Sequence, residues 1–372
     1  MNVLIVSGEI SGDYYGSLLA AQLKRLHPDL TLFAIGGNKL REIADVFVAD
    51  IASANAIGVW ERVSQILFYS TFFKQVETFL SGQKMDYAIL IDFQHYNFRV
   101  AKLLQKAGVP IVTFITPNFW IWSDRKHAKA LAAYSEKIIT IYPPEYTLYN
   151  ELAPGKVEYF GHPLAELIQP LTSTEPRSGN TLVLFPGSRK QEIELLLPKM
   201  LEIARQFGNQ IPGAIIYLPI SSEKFAENIY QTVEKYPVPG LEIWTGDKKA
   251  LFERADVILS VTGTTTLEAV LYGIPVVMVG ALAHLTYFLV RYVLRLPLKY
   301  VSLPNILAGR EVIPEFQQYD VKVAPVLKSL VELSRPEARL TIQNNLKEIR
   351  QLIGSNKSVF EQVARSILAH VK

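Results

Sequence analysis

Short apolar runs that close on glycine-rich turns and pass straight into helix-period patterns recur along the whole chain, and few folds accept that order. Val3-Leu4-Ile5-Val6 leads into Gly8-Glu9-Ile10-Ser11-Gly12-Asp13 and then a helix pattern through Leu18, Leu19, Leu23 and Leu26. A second run at 31–35 closes on Gly36-Gly37, and a third at 87–91 ends on Asp92. Further strands are read at 110–116, 137–141 and 157–160. Buried strands alternating with helices, with glycine at the strand C-termini, specify a parallel doubly wound α/β sheet. The second half restarts the alternation, with strands at 181–185, 214–218, 257–261 and near 275–279 and helices near 191–206, 222–234 and 265–272.

Two restarts of one pattern in 372 residues predict two similar α/β domains in tandem, with the main cleft between them. The one clear composition break carries Pro170, Ser173, Thr174, Pro176 and Ser178, so the linker is placed at 167–180. The expected division is 1–166, linker 167–180, 181–345, and a C-terminal helical segment 346–372. Apolar residues make up 49% and charged residues 20%, enough for a core in each half. A net charge of +3, without a Lys/Arg run, argues against a nucleic-acid partner. The absence of cysteine excludes disulfides and thiolate metal sites. No n-region, h-region and cleavage site precede the first strand, and no long uncharged apolar window occurs, so neither a signal peptide nor a spanning helix is expected.

The run Leu182-Val183-Leu184-Phe185-Pro186-Gly187-Ser188-Arg189-Lys190-Gln191-Glu192-Ile193 is a strand, a tight loop and a helix N-terminus. Free N–H groups and the positive helix end favour an anion there. Ser188 adds a hydroxyl and Arg189 a planar fork suited to phosphate. The Gly-Lys-Ser/Thr ending of a P-loop is missing. A second such turn, Ser260-Val261-Thr262-Gly263-Thr264-Thr265-Thr266-Leu267-Glu268, offers hydroxyls and N–H groups, with Glu268 one turn in, where it suits a ribose or sugar diol. Either turn read alone is an ordinary capped helix. Together they favour a nucleotide diphosphate.

In the first half, Asp92 stands at a strand C-terminus, where open α/β sheets place their chemistry, with His95 and Asn97 in the same loop. It reads as a general base, or as the cap of the following helix. Gly12 reads equally as a ligand contact or a packing glycine. Trp120 and Trp122, followed by Arg125 and Lys126, suit a sugar ring, a headgroup zone or a core. A helix expected over 57–80 is uncharged and aromatic from Val63 to Phe73. A second segment, 285–296, carries Arg291 and Arg295 among aromatic and aliphatic residues. Both read as interfacial helices or as core. Asn305, Arg310, Glu311 and Glu315 crowd an otherwise apolar loop, a pattern read as facing the cleft.

Ser7-Gly8-Glu9-Ile10-Ser11-Gly12-Asp13, Gly161-His162-Pro163-Leu164, Pro186-Gly187-Ser188-Arg189, Gly263-Thr264-Thr265-Thr266-Leu267-Glu268 and Ser302-Leu303-Pro304-Asn305 through Arg310-Glu311 resemble lipid-A-disaccharide synthases, in that family's order and over nearly the whole chain. The resemblance implies a GT-B fold, two Rossmann-like domains with the C-terminal helix crossing back to the first. It implies an inverting transferase that needs no metal or cofactor, peripheral at the cytoplasmic face of the inner membrane. The donor it implies is UDP-2,3-diacylglucosamine and the acceptor 2,3-diacylglucosamine 1-phosphate. A homodimer is left open. The family's essential carboxylate falls on Asp92 and its essential arginine on Arg189. Ser188 and the turn of Thr262, Gly263, Thr264 and Thr265 would hold the diphosphate, Glu268 the ribose, and Asn305, Arg310 and Glu311 the sugar or phosphate. Gly12, His95, Asn97, Trp120 and Trp122 would line the acceptor side.

The chain departs from the family pattern on that side. The family usually has Asp-Ala-Pro-Asp-Phe-Asn where Asp92-Phe93-Gln94-His95-Tyr96-Asn97 stands, and Ser-Pro-Ser-Val-Trp-Ala-Trp where Thr116-Pro117-Asn118-Phe119-Trp120-Ile121-Trp122 stands. A related transferase with another acylated acceptor, a UDP-sugar 2-epimerase and a non-catalytic lipid or nucleotide-sugar binder are the alternatives.

Overall fold

The computed structural model describes residues 1–51, 62–92, 94–171, 179–187, 189–220, 225–281, 299–354 and 358–370, with backbone alone at 62–69, 94–95 and 336–341. The chain divides into two compact units, Met1–Glu166 with Ile353–Lys372, and Leu167–Leu352. Ser188, the 285–296 segment, half of the 167–180 linker, the first residues of the 57–80 helix and the His95 side chain lie outside what is described.

The first unit is a seven-stranded sheet, every neighbouring pair parallel. Its strands are β1 (Asn2–Ser7), β2 (Thr31–Gly36), β3 (Val46–Asp50), β4 (Tyr87–Ile91), β5 (Ile111–Phe114), β6 (Lys137–Thr140) and β7 (Val157–Tyr159), in the order β3-β2-β1-β4-β5-β6-β7. Leu4, Val6, Ala88 and Leu90 are wholly buried because helices cover the sheet. Those helices are α1 (Ile10–Leu26), α2 (Asn38–Ile43), α3 (Arg62–Gly82), α4 (Gln94–Lys106), α5 (Arg125–Tyr134), α6 (Pro143–Leu152) and α7 (Pro163–Leu167). Strand β3 escapes the sequence reading, since it forms a half-exposed sheet edge rather than a continuous buried run. Phe72, Phe73, Val76 and Leu80 of α3 are buried in the core with Val6, Phe33 and Leu90, so this part of the aromatic helix serves the fold. Among the described residues no helix is long and apolar enough to cross a membrane.

Asp13 shows how the first turn is locked. Its buried carboxylate accepts hydrogen bonds from the backbone N–H groups of Gly37 (2.7 Å), Lys39 (2.9 Å) and Leu40 (3.2 Å), pinning the start of α2 to α1. Gly354 has φ +80°, and a Cβ there would lie 3.0 Å from the Gly161 Cα, so the chain crosses itself where only glycine fits. Beyond it the last helix, Val359–His370, packs on α1. Its Phe360 ring lies 6.3 Å from Tyr15 and 6.4 Å from Phe114, and its Glu361 pairs with Arg25 at 2.9 Å.

The second unit is a six-stranded parallel sheet of β8 (Thr181–Phe185), β9 (Ile215–Pro219), β10 (Leu241–Trp244), β11 (Val257–Val261), β12 (Val276–Gly280) and β13 (Glu315–Gln317), ordered β10-β9-β8-β11-β12-β13. Helices α8 (Lys190–Gln210), α9 (Ala226–Lys235), α10 (Lys248–Arg254), α11 (Thr264–Tyr272), α12 (Leu303–Ala308), α13 (Val323–Ser334) and α14 (Pro336–Leu352) surround it, and the final helix of the chain is α15. Ile193, Leu196, Leu197, Met200, Ala204 and Phe207 of α8 make the 3.6-period stripe that buries against Leu182, Leu184 and Leu259. Strands β10 and β13 were not foreseen, because they too are edge strands of partly exposed residues.

Candidate active site

Strand order reverses between β1 and β4 in the first unit and between β8 and β11 in the second. Open parallel sheets bind ligands outside the strand C-termini at such a point, because the flanking loops diverge and leave a crevice. Glu9 and Asp92 follow β1 and β4, while the Pro186–Arg189 loop and the Thr262-Gly263 turn follow β8 and β11. Topology therefore collects the motifs at one crevice in each unit.

Asp92 is part-buried, and its backbone N–H donates to the Ile115 carbonyl at 3.1 Å. Burial, and after it the charge of Glu9, pushes its carboxyl up to about 7. A carboxylate of that basicity exists at neutral pH and holds a proton well once it takes one, which suits a general base. Ile115 itself sits at φ +64°. That is a strained conformation for a β-branched side chain, held by the Ile115 N–H bond to Ile139 O at 3.1 Å.

Gly12 packs tightly: a Cβ there would lie 2.4 Å from Ser7 Oγ, so α1 approaches β1 closely at this residue. Asn97 is buried and donates through Nδ2 to the Ile91 carbonyl at 3.2 Å, which shores up the end of β4. Trp122 is exposed, whereas the Trp120 ring lies 5.6 Å from the Tyr142 ring. Behind them lies a buried cluster the sequence reading missed. Tyr142 Oη is 3.0 Å from His162 Nε2, and His162 Nδ1 accepts from Leu164 N–H at 3.0 Å. Burial pushes the imidazole down to about 3, so it is neutral, with its proton on Nε2. Glu145, fully buried, accepts from the N–H groups of Ile141 (3.0 Å) and Tyr142 (3.2 Å). The Gly-His-Pro-Leu run was the available signal for His162, while Pro143-Pro144-Glu145 signalled only a helix start.

In the second unit Gly187 has φ +96°, and a Cβ would lie 2.9 Å from Val261 Cγ2 and 2.5 Å from Glu192 Oε2. Only glycine lets the loop after β8 turn against β11. Arg189 occupies the N-cap of α8 with its side chain 80% exposed, tethered to Glu192 Oε1 at 3.0 Å. A dianionic phosphate outcompetes one carboxylate for an exposed guanidinium. At the start of α11, Gly263 takes φ +145°, Thr266 Oγ1 donates to Gly263 O at 2.9 Å, and Thr262 Oγ1 donates to Val301 O at 3.3 Å. Thr264 and Thr265 open the helix, where first-turn N–H groups have no intrahelical acceptor. Glu268 is held by Lys248 at 2.8 Å, a residue sequence reasoning missed, and the Lys248 ammonium lies over the Phe185 and Phe252 rings.

In the 302–315 segment several of the polar side chains are engaged within the fold. Asn305 is fully buried, with every hydrogen-bonding position used: Oδ1 accepts from Val312 N–H (2.8 Å) and Ile313 N–H (3.0 Å), and Nδ2 donates to Ile313 O and Glu315 Oε2, both at 3.0 Å. It rivets a turn whose backbone would otherwise be buried unpaired. Glu315 gathers Val301 N–H (2.7 Å), Ser302 N–H (3.1 Å) and Ser302 Oγ (2.7 Å). Arg310 pairs with Glu348 of α14 and reaches Asn345 Oδ1 at 3.3 Å, and Glu311 is exposed. Among the described residues no His, Asp and Glu cluster of three or more could hold a metal.

A family model described as lipid-A-disaccharide synthetase matches residues 3–368. The chain belongs to the lipid-A-disaccharide synthase family. It is 32% identical to the lipid-A-disaccharide synthase of Koribacter versatilis, over 99% of this chain and 98% of that protein. It is 30% identical to that of Geobacter metallireducens, over 98% and 96%. Like its family, it is a glycosyltransferase of lipid A synthesis. Among solved structures, UDP-GlcNAc 2-epimerase from Neisseria meningitidis bound to UDP-GlcNAc superposes at TM-score 0.69 and 13% identity, covering 99% of this chain and all of that one. Acinetobacter baumannii MurG superposes at TM-score 0.60 and 11% identity, covering 99% of each chain. At these identities the likeness establishes the fold, two-unit α/β of the GT-B type.

Proposed function

We propose that this synthase transfers 2,3-diacylglucosamine from UDP to the 6-hydroxyl of 2,3-diacylglucosamine 1-phosphate with inversion at the anomeric carbon. The observation that carries the reading is the Asp92 carboxyl, raised to about 7 at the β1/β4 switch point. Asp92 takes the proton of the acceptor hydroxyl, and the hydroxyl oxygen attacks the anomeric carbon. The bond from that carbon to the diphosphate breaks, and UDP leaves with the electron pair. One displacement from the face opposite the leaving group inverts the centre. Arg189, Ser188 and the helix start at Thr264 and Thr265 stabilise the charge gathering on the diphosphate. Glu268, fixed by Lys248, accepts the ribose hydroxyls. Substrates carrying acyl chains bring the reaction to the cytoplasmic face of the inner membrane, where the protein binds peripherally.

A radiolabel assay tests this with purified protein and both lipids dispersed in detergent. The expected result is equimolar UDP and a β-1,6-linked disaccharide 1-phosphate. UDP release into water without disaccharide, or epimerised donor, would overturn it.

A further inference from the structure

Glu145 is the strongest buried group that the transfer mechanism leaves unused. It lies at the start of α6, fully buried, with Oε2 taken by Ile141 and Tyr142 N–H and Oε1 without a hydrogen-bond acceptor or donor. The groups that face it are the Thr116 hydroxyl after β5, Tyr142 at the α6 N-cap, Tyr149 within α6, Tyr159 on β7 and Asp92 after β4. Among the described residues none of these is a cation, and His162, the imidazole bonded to Tyr142, is neutral. A fully buried carboxylate with no cation beside it and only the Thr116 hydroxyl near its second oxygen costs several kcal/mol, whereas a carboxylic acid there costs far less. Its Oε1–H becomes a donor to the Thr116 or Tyr149 oxygen.

We propose that Glu145 is a positioning residue that works as the carboxylic acid, clamping the β6–α6 turn and, through Tyr142 and His162, the wall behind Asp92. The proposal rests on Asp92 as the base. The path is continuous: Glu145 Oε2 holds the Tyr142 N–H, Tyr142 Oη accepts from His162 Nε2–H, and the Tyr142 ring lies tilted against Trp120, 5.6 Å between centroids. Burial pushes Glu145 up to about 8 against the hydrogen bonds it accepts, and the charge of Asp92 adds a smaller push in the same direction. The proton on Glu145 lets Asp92 carry its charge without a second buried anion. Above pH 8 Glu145 ionises, loses its Oε1–H donor bond and adds a second buried anion beside Asp92, and turnover falls.

Two measurements test this separately. Infrared difference spectra of Asp92→Asn and of Asp92→Asn with Glu145→Gln, near pH 6, should differ by one protonated-carboxyl carbonyl band. This readout needs no turnover, so it does not depend on Asp92 being the base. Absence of the band overturns the acid form of Glu145. The pH profile of kcat/KM follows for Glu145→Gln and Glu145→Ala. Glutamine mimics the acid, so it should keep the acid limb in place and remove the decline above pH 8, whereas alanine should lower kcat about 10–100-fold, as a misplaced site does. An acid limb moved downward in Glu145→Gln would show Glu145 anionic in the native enzyme and overturn the proposal. A band present but no acid limb in the wild-type profile would refute Asp92 as base and leave the Glu145 acid standing.

Discussion

Asp92 should cost the protein stability in exchange for reactivity, and Asp92→Asn should reveal the amount. The carboxyl moves from 3.8 to about 7 on folding, mainly through burial. A shift of about three pH units at 1.36 kcal/mol each is about 4 kcal/mol, and residual exposure of Asp92 reduces this to about 2–4 kcal/mol. The sign follows from proton binding. Below about pH 4 the carboxyl is protonated in both states and costs nothing. Between about 4 and 7 the unfolded chain has released its proton while the folded protein still binds one, so stability falls as pH rises. Above about 7 the full penalty is present. Asparagine cannot ionise, so Asp92→Asn should match wild type near pH 3.5 and exceed it by the stated amount at pH 7.5 while losing turnover about 10²–10⁴-fold. Hydrogen exchange of the β1 and β4 amides, followed by mass spectrometry at the two pH values, reads the first unit directly. A stability gap that does not change with pH, or an Asp92→Asn enzyme that still turns over, would refute the reasoning.

Arg189→Ala should leave folding within about 0.5 kcal/mol, because the side chain is largely exposed, yet lower kcat about 10²–10³-fold and weaken UDP binding in calorimetry. Asn305→Ala strands the buried Val312 and Ile313 N–H groups and should destabilise the second unit by about 2–4 kcal/mol in urea unfolding. Lys248→Met frees Glu268 and should raise the KM for the UDP-sugar about tenfold without moving the acceptor KM, which separates donor from acceptor roles in steady-state kinetics.

Central strands were legible because they are continuous apolar runs: residues 3–6, 87–91, 182–185 and 257–261 are buried on both faces wherever the sheet puts them. The turns at Asp92, Arg189 and Gly263 were legible for a related reason, since strand C-termini in a parallel sheet are fixed by chain order alone. Family membership followed from motifs spread over nearly the whole length. Edge strands β3, β10 and β13 were not legible, because half-exposed residues carry no strong pattern and their pairing depends on what lies beside them.

Side-chain partnership was likewise decided only by the tertiary fold. That Gly12 is a packing glycine shows only in the fold, where Ser7 Oγ stands 2.4 Å from where its Cβ would be. Asn305 looked like a ligand residue because polar density draws attention, yet the fold uses all of it on backbone 7–8 residues away and on Glu315. Glu145 and His162 become chemically unusual only once β5, β6, β7 and α6 bury them together. A hydrophobic period is a property of one segment and can be read along it. A desolvated acid, a neutral imidazole or a saturated amide is a property of several segments at once, and local sequence carries no record of it.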